Sequence, residues 1–582
     1  MNNSRTIATP QPADLVTFTI LIEGQEISEV YEIKNISIEK ELNRIPFANI
    51  IFYDGEAASQ DFNLSNEDLL LPGKKIEIKA GYHNDEETVF KGIIIKQGIK
   101  IRENTSVLLV ECRDEAVKMT LGKKSAYYYD AGDSEIIEEI ISKYPALSHD
   151  VKATPYKHPE LVQYAASDWD YVITRAQANG LVCNTENGKM TIAKPNINQE
   201  AIETVEFGAT LLAFDAEMDA RNQFNTITAY NWNPADQELV ETEANDPAIN
   251  LNGNIAPPEL ADVMEVQNLE LKHGGNYDTT VVQQWSDAKA SFQQLSKTRG
   301  RISFQGIVAA KPDTIIQLEG VGDRFSGKIY ISAVRHEITD GNWVAHAEFG
   351  INPTWFSETY DISQLPASGM LPAINGLQIG VVSQLQDDPN NEDRILIKIP
   401  IVNNEEQGIW ARVATLDAGE NRGSFFRPEI GDEVLVGFIN DDPNHAVVLG
   451  MLNSSAKPAP IVAEDDNHEK GFVTRSEMKF IFNDEKKSIT LETPAGKKII
   501  IDEDAGSILI EDDNGNTVTI DSSGIALDSS SDINVKATGD LNMEATNINI
   551  AANANFKAEG NAGAEVSTSA VAVLKGSLVQ IN

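Results

Sequence analysis

The sequence has few cysteines, no long apolar run and few basic residues, and each shortage excludes a class of protein. Two cysteines among 582 residues, Cys112 and Cys183, cannot build a disulfide framework, so we expect two reduced thiols. No run of about eighteen apolar residues exists, which excludes a membrane-spanning helix. Residues 1–14 form a polar stretch with no basic flank followed by an apolar core. We therefore expect a flexible N-terminus without a secretion signal, and synthesis in the cytoplasm.

The shortage of basic residues gives the chain a strong negative charge. Lys and Arg total 47 against 89 Asp and Glu, and the formal net charge is −42. Phosphate recognition depends on Lys and Arg, and anionic membrane surfaces repel an acidic protein. We therefore expect no nucleic-acid partner and no stable membrane insertion. Aromatic and aliphatic residues still run through almost the whole chain, as they do in folded domains.

The chain up to residue 204 changes from a strand pattern to a helical one. Val16–Ile20 and Lys75–Lys79 alternate apolar and polar residues with the period of half-buried strands, and we predict a first β-barrel at 15–124. Residues 125–204 are predicted to form an α/β insert. Ser167 is placed to cap the second of its two helices.

Strands return at 205–365, where we predict a second β-barrel that contains one helix at 280–298. Gly300 is expected to end this helix. The region echoes the first barrel, because Phe90–Ile94 and Phe325–Ile329 precede later strand patterns at the same offset. The alternative is chance similarity between β-hairpins. The apolar stripe of the helix is interpreted as a core-facing surface and consists of Val281, Trp285, Ala288, Phe292 and Leu295.

Five short strand patterns at 373–455 favour a small closed barrel of the OB type. Many OB barrels bind oligonucleotides, but this stretch carries five basic residues against thirteen acidic ones. A nucleic-acid function is therefore disfavoured here as well. A polar linker is expected at 456–470. The five predicted strands are Leu377–Gln384, Arg394–Ile399, Gly408–Thr415, Glu433–Asn440 and Ala446–Leu452.

Residues 471–582 contain a repeat of one short strand and one turn. Pairs of apolar residues recur with one residue between them, and successive pairs begin 10, 9, 10, 7, 8, 8 and 7 residues apart. A unit of this size cannot enclose a core of its own. The pairs are Ile489/Leu491, Ile499/Ile501, Ile508/Ile510, Val518/Ile520, Ile525/Leu527, Ile533/Val535, Leu541/Met543 and Ile548/Ile550.

The repeat predicts an obligate homotrimer. A single-chain β-helix spends about twenty residues on each coil, whereas each unit here supplies one strand. Three copies wound around one axis, each forming one side of a prism, would bury the sixteen paired apolar residues with little empty space. We therefore predict an intertwined trimeric β-helix needle with these residues in its core. Its blunt end would expose Leu578, Val579 and Ile581.

Residues for catalysis or metal binding do not form a recognisable pattern. The eight histidines are scattered, no His-Glu-x-x-His or Cys/His cluster with zinc spacing occurs, and the sequence has neither a G-x-S-x-G nor a phosphate-loop motif. Runs such as Glu511–Asp513 are interpreted as turn or surface charge. We predict no catalytic, cofactor-binding or metal site.

The chain resembles the VgrG family, also called Rhs-element Vgr proteins, the spikes of contractile injection systems. The resemblance covers nearly the whole chain and rests on two motifs followed by the strand repeat. The first is Gln163-Tyr164 leading into Ser167-Asp168-Trp169-Asp170-Tyr171, with Arg175 and Asn179-Gly180 behind it. The second is Gly431-Asp432-Glu433-Val434-Leu435-Val436-Gly437-Phe438, which runs on through Pro443 to Val448-Leu449-Gly450.

The resemblance implies a structural, non-enzymatic role. The two barrels would be the hub barrels, and two per chain in a trimer would match a six-fold tube to a three-fold needle. Implied partners are tube and baseplate proteins, a tip protein of the PAAR type at Leu578, Val579 and Ile581, and effectors. The particle would be exported or released and driven through the envelope of a target cell.

Two alternatives remain at this stage. A trimeric tailspike that binds or degrades surface carbohydrate would need aromatic platforms, and from Ser488 onward only Phe556 is aromatic. A monomeric β-solenoid adhesin would differ in its oligomeric state. The sequence also leaves open whether the machine is a type VI secretion system or an extracellular phage-tail-like particle.

Overall fold

The structure is a computed structural model that describes residues 15–103 and 105–581, so the predicted flexible N-terminus lies outside the described residues. The chain forms two compact units. The first runs up to Asn375 and includes Asn440–Pro443, and the second consists of Gly376–Ile439 and the residues from Asn444 onward. The fold is mainly β, with the helices confined to the first unit.

The first unit contains 21 strands and five helices. Its strands up to the end of the insert are β1 (Val16–Ile22), β2 (Gln25–Glu26), β3 (Ile33–Glu41), β4 (Phe47–Tyr53), β5 (Lys75–Tyr82), β6 (Asp85–Arg102), β7 (Thr105–Arg113), β8 (Lys124–Gly132), β9 (Ser148–Val151), β10 (Lys157–Ala166), β11 (Val182–Glu186) and β12 (Lys189–Ala193). The later strands are β13 (Ala201–Glu206), β14 (Ala213–Met218), β15 (Thr226–Asn233), β16 (Glu238–Glu243), β17 (Asn268–His273), β18 (Thr298–Gln305), β19 (Thr314–Glu319), β20 (Gly327–Thr339) and β21 (Asn342–Phe349). The helices are α1 (Asp133–Ser142), α2 (Asp168–Ala178), α3 (Pro257–Ala261), α4 (Thr279–Leu295) and α5 (Phe356–Thr359).

The two predicted barrel regions share one 13-stranded sheet. They join where β3 pairs antiparallel with β20, with Ile38 opposite His336. Each region keeps its own apolar core: residues such as Ile38 and Phe52 fill the first, and Ile302 and Leu318 fill the second. One sheet with two apolar cores thus forms the scaffold of this unit.

The sequence echo corresponds to a repeated three-stranded meander. Strands β5, β6 and β7 pair in order, and β19, β20 and β21 do the same. Gly92 lies opposite Ile76 in the first hairpin, and Gly327 lies opposite Leu318 in the second. The strand that precedes each meander differs, because β1 joins β5 antiparallel while β13 joins β19 in parallel.

The insert folds as the capping pattern indicates. The Ser167 hydroxyl oxygen accepts from the Asp170 backbone N–H at 3.0 Å at the start of α2, and Gly180 has a positive φ of 70° just beyond its end. The Ser167 hydroxyl also donates to the Asp170 carboxylate at 2.6 Å. An N-cap of this kind satisfies backbone donors that the first helical turn leaves unpaired.

The helix of the second barrel ends earlier than the prediction of 280–298. It stops at Leu295, and β18 begins at Thr298. Gly300 is therefore a strand residue and not a helix terminator. A Cβ at Gly300 would lie 2.2 Å from the Asp215 carbonyl oxygen on β14, so glycine permits the close approach of two strand backbones.

The second unit begins with a closed five-stranded barrel in the order β22-β23-β24-β28-β27. Its strands reproduce the five predicted OB strands to within about two residues, and Val382, Ile397, Val434 and Val448 are among the side chains in its core. A two-stranded hairpin, β25 with β26, projects between β24 and β27. The strands are β22 (Gln378–Gln384), β23 (Ile395–Lys398), β24 (Ile409–Val413), β25 (Ala418–Gly419), β26 (Arg422–Gly423), β27 (Glu433–Phe438) and β28 (Ala446–Met451).

The strand repeat forms a seven-stranded antiparallel sheet in which each strand pairs with the next one in the chain. An intertwined β-helix would pair strands of different copies, whereas these seven strands pair within one chain. The turns of two to five residues are short enough to close hairpins within one chain. The strands are β29 (Glu469–Val473), β30 (Lys479–Asn483), β31 (Ser488–Glu492), β32 (Lys498–Asp502), β33 (Ser507–Glu511), β34 (Thr517–Asp521) and β35 (Gly524–Asp528).

Candidate functional site: the apolar face of the repeat sheet

The register of the repeat sheet places the predicted apolar pairs on one face. Ile499 lies opposite Leu491 on one side and Ile510 on the other, and Ile501 lies between Ile489 and Ile508 in the same way. Because side chains alternate across a strand, aligned pairs with one residue between them form two parallel rows. We call this surface the apolar face: Phe480, Phe482, Ile489, Leu491, Ile499, Ile501, Ile508, Ile510, Val518, Ile520, Ile525 and Leu527.

The apolar face is uncovered within the chain. Ile499 is 42% exposed and Ile525 is 74% exposed, values far from those of a core residue. A contiguous exposed apolar surface of this length is typical of an interface. Burying an aliphatic side chain of this size contributes about 1.5–3 kcal/mol. Covering both rows would therefore stabilise the folded chain substantially.

A groove of about 770 Å³ runs along one of the two rows. The chain after β35 closes one end of it, where the Ser529 hydroxyl donates to Asn516 Oδ1 at 2.7 Å and Ile533 reaches the wall. The apolar wall of this groove consists of Leu491, Ile499, Ile510, Val518, Leu527 and Ile533. The groove therefore has the shape and the chemistry to accept a second apolar element.

The sequence pattern missed the aromatic start of this face. Phe480 and Phe482 occupy the same two rows one strand earlier, and their F-x-F spacing was the available signal. Phe472 continues one row on β29, where it lies opposite Phe480. Its ring stacks on Phe426, which follows β26, with ring centroids 5.2 Å apart. The apolar face thus extends beyond the repeat to the loop after β26.

The opposite face of the repeat sheet mixes charged and hydroxyl residues with a short apolar row, Ile481, Ile500 and Leu509, and the turns are polar. Lys497 Nζ and an Asp513 carboxylate oxygen lie 2.8 Å apart. At the β33–β34 turn the Asp512 carboxylate accepts from the backbone N–H groups of Asn516 and Asn514, and these bonds hold its pKa well below the usual range. A carboxylate that accepts two turn amides rigidifies the turn.

The last three predicted pairs lie where the structure has no strand pairing. Residues 529–581 follow β35 without a further assigned strand. The prediction placed these six side chains in a needle core, whereas in the single chain they lie on the surface, because no neighbouring strand of the described residues covers them. Their exposed fractions are 55% for Ile533, 67% for Val535, 61% for Leu541, 65% for Met543, 49% for Ile548 and 64% for Ile550. A core role for these residues therefore needs further copies of the chain and stays a prediction.

The predicted tip residues are also on the surface. Leu578 and Ile581 are 83% and 85% exposed, and Val579 is 50% exposed. Exposed apolar side chains of this size can contact a partner, but no partner chain is part of the structure. Their role as a tip contact stays a prediction.

The first unit contains a buried polar cluster that belongs to its architecture. Asp133, 3% exposed at the start of α1, accepts from Arg175 Nε at 2.6 Å, from Arg175 Nη2 at 2.9 Å and from Asn179 Nδ2 at 2.9 Å. Its Oδ2 also lies 3.1 Å from His158 Nε2. Burial alone would raise the pKa of Asp133, but the bonds from His158, Arg175 and Asn179 lower it well below the usual range. The cluster ties α1, α2 and β10 together.

Neither a metal-binding cluster nor a membrane-spanning helix occurs in the described residues. In 15–103 and 105–581, no three His, Cys, Asp or Glu side chains converge in a way that could hold a metal ion. Over the same ranges, no helix has the length and apolar character needed to cross a bilayer.

Family models match two parts of the chain. The model of the Alg8 N-terminal domain matches residues 12–340. The model of the type VI secretion system/phage-baseplate injector OB domain matches residues 378–452, the stretch that forms the closed barrel.

Curated relatives match over short segments. The type VI secretion system spike protein VgrG3 of Vibrio cholerae is 31% identical over 113 residues, which cover 18% of this chain and 11% of that protein. VgrG1a of Pseudomonas aeruginosa is 33% identical over 73 residues, 12% of this chain and 11% of that protein. The aligned part of the chain thus spans about a tenth of the length of these relatives.

Solved structures match at low identity. A tail protein from Neisseria meningitidis has 13% identity and a TM-score of 0.44, and the match covers 60% of this chain and 100% of that chain. The lidless PdpA-VgrG complex has 10% identity and a TM-score of 0.38, and the match covers 89% of this chain and 98% of that one.

The closed barrel at 378–452 is thus similar to the injector OB domain, and short segments of the chain are similar to VgrG spike proteins. The chain belongs to the family of the Alg8 N-terminal domain, whose model covers more than half of its length.

Proposed function

We propose that the chain is the hub-spike of a contractile injection machine and works as a homotrimer. The observation that carries the proposal is the uncovered apolar face, which continues from Phe472 to Leu527 in a chain of net charge −42. Such a face is stable in water only when other apolar surface covers it, and identical faces of two further copies provide that surface.

The backbone pairing within each repeat sheet gives the needle its stiffness. Each chain contributes one flat side, with its hydrogen bonds already made between neighbouring strands, and the three apolar faces meet on the axis. Residues 529–581 then wind around the same axis and pair between chains. Axial load is spread over many backbone bonds, which suits a device that punctures an envelope.

The first unit is the hub in this proposal. The repeated meanders β5–β7 and β19–β21 provide two similar surfaces per chain, so that a trimer presents six to a six-fold tube. The exposed Leu578, Val579 and Ile581 would bind a tip protein of the PAAR type, and effectors would travel with the assembly. We propose no enzymatic activity for this chain, because the clustered polar residues of the insert serve packing.

The trimer is tested with neighbouring residues on β33 that point to opposite faces. Ile510→Thr changes the apolar face, and Leu509→Thr changes the other face of the same strand. We expect light scattering of the full chain to give three times 63.7 kDa for the native protein and for Leu509→Thr. Ile510→Thr and a chain that ends at Lys470 should lose trimers at micromolar concentration.

The proposal has a clear contrary outcome. A native chain that is monomeric at all concentrations, or an equal loss of trimer in the Ile510 and Leu509 variants, would show that the apolar face does not hold copies together.

A further inference from the structure

A small three-stranded sheet in the first unit has one face that does not pack against the described core of the unit. Strands β16, β15 and β17 form it in that order, and α4 packs on one side, where Gln283 Nε2 donates to the Glu243 carbonyl oxygen at 2.8 Å. Ile227 and Ala229 of β15 face this helix side and are buried. The alternate residues of the three strands point the other way, and we call that surface the outer sheet face.

The outer sheet face carries an aromatic strip. Tyr230 and Trp232 stand two residues apart on the central strand, and Leu239 of β16 lies opposite Trp232. Trp232 is 40% exposed and Leu239 is 66% exposed. Exposed tryptophan and tyrosine on a rigid strand lose little entropy when a partner covers them, and such residues dominate binding energy at protein interfaces.

The strip is bordered by carboxylates. Glu241 lies opposite Tyr230, while Glu243 and Glu270 flank Thr228 from the two neighbouring strands. Residues 234–278, which include β16 and β17, contain ten acidic residues and one basic residue, Lys272. The negative charge is thus far denser here than along the chain as a whole.

Lys272 shows how a cation fits this surface. Its ammonium lies 5.9 Å from the centroid of the Tyr230 ring and 2.6 Å from a Glu270 carboxylate oxygen. These two contacts raise the pKa of Lys272, with Glu270 as the main cause. The Tyr230 ring and the Glu270 carboxylate therefore form a cation position that Lys272 occupies. The Trp232 ring and the Glu241 carboxylate provide the same pair of groups on the β16 side of this face.

We propose that the outer sheet face docks a segment of a partner protein that carries Lys or Arg beside apolar side chains. The cations would lie over Trp232 and pair with Glu241 and Glu243, beside the position that Lys272 already fills, while aliphatic groups cover Leu239. The docking site needs only the fold of the first unit, so it is independent of trimer formation. It gives the hub a specific attachment point for a basic partner.

The experiment uses the full chain and synthetic probes. Labelled peptides of about twelve residues alternate Lys with Val, Lys with Ser, or Glu with Val, and fluorescence anisotropy at about 150 mM salt reports binding. We expect the Lys/Val peptide to bind, the Lys/Ser peptide to bind at least about fivefold more weakly, and the Glu/Val peptide not to bind.

Matched variants separate this site from general attraction to an acidic protein. Trp232→Ala, and separately Glu241→Gln with Glu243→Gln, should each weaken Lys/Val binding at least about tenfold. The aromatic control is Tyr127→Ala with Tyr129→Ala, an exposed pair, and the charge control is Glu26→Gln with Glu29→Gln. Both controls should bind as the native chain does.

Three results would overturn the proposal. The first is equal weakening in the charge control and in the outer-face glutamine variant, which would indicate non-specific attraction. The second is binding of the Glu/Val peptide. The third is that the native chain does not bind the Lys/Val peptide and that substitution of Trp232 changes the oligomeric mass. This result would mean that the outer sheet face contacts a second copy of the chain.

Discussion

Trp343 donates its indole N–H to Nδ1 of His336 at 3.3 Å, and this bond fixes a neutral histidine at the seam of the two barrels. His336 Nε2 lies 3.0 Å from the Ala310 carbonyl oxygen, which can only accept, so Nε2 carries the ring proton. Burial lowers the pKa of His336 to about 3, and the positive charge of Lys40 adds to the effect. An uncharged polar link thus fixes β20 and β21 beside the β3–β20 junction.

This link makes the stability of the first unit depend on pH. The pKa of His336 is near 6.5 in the unfolded chain and about 3 in the fold, so below pH 6.5 only the unfolded state gains a proton. The stabilisation is complete above pH 6.5 and falls by about 1.4 kcal/mol for each unit of acidification toward pH 3.

Urea unfolding at pH 7.5 and 5.5 measures this dependence. The native chain should lose about 1 kcal/mol more free energy of unfolding than His336→Gln over that interval, while His273→Gln, a change at an exposed histidine, should follow the native chain. Identical pH slopes for the native chain and His336→Gln would contradict the assignment of a neutral buried ring.

The Asp133 cluster should also lose stability as the pH falls, but in a lower pH range than His336. The pKa of Asp133 is lower in the fold than in the unfolded chain, so its stabilisation is present above about pH 4 and disappears as the pH falls further. Asp133→Asn leaves the Arg175 guanidinium without its counter-charge and should cost about 3–5 kcal/mol at pH 7. The deficit relative to the native chain, measured by urea unfolding, should shrink at pH 3.5. A constant deficit would mean that the charge is not the cause.

Gly300 should resist substitution although it lies in a strand. In Gly300→Ala the new methyl group meets the Asp215 carbonyl oxygen and pushes β14 away from β18. We expect a loss of about 1–3 kcal/mol and faster amide exchange along Ala213–Met218. Gly322→Ala changes a loop glycine with no neighbour within 4 Å but a positive φ of 79°, so it reports the backbone cost alone. If faster amide exchange were confined to the loop around Gly322 in both variants, the close approach of β14 to Gly300 would be refuted.

The stack of Phe426 on Phe472 should couple the stability of the OB barrel to that of the repeat sheet. A double-mutant cycle with Phe426→Ala, Phe472→Ala and both together should give a coupling energy of about 0.5–1.5 kcal/mol in thermal or urea unfolding. Val462→Ala, at a linker residue that is 83% exposed, is the control for loss of apolar surface without a partner. Strict additivity of the two phenylalanine changes would show that the rings do not interact in solution.

Local patterns predicted the local structure well. The hydroxyl of Ser167, the five OB strands and the strand–turn repeat depend on residues within about ten positions of one another, and the structure has the cap, the OB strands and the repeat as far as Asp528. The Gly300 prediction was wrong because the sequence does not distinguish a glycine that ends a helix from a glycine that allows a neighbouring strand to approach closely. The partner that decides between them, β14, is more than eighty residues away.

The sequence by itself determined the charge, the alternating strands and the two-residue period of the apolar face, since composition and side-chain alternation are properties of the chain alone. Only the tertiary structure decided that β3 and β20 merge two barrels into one sheet, that Phe472 meets Phe426, and that Tyr230, Trp232 and three glutamates share a surface. These relationships join segments that are distant in the chain, and their pairing depends on shape and burial that no local pattern records.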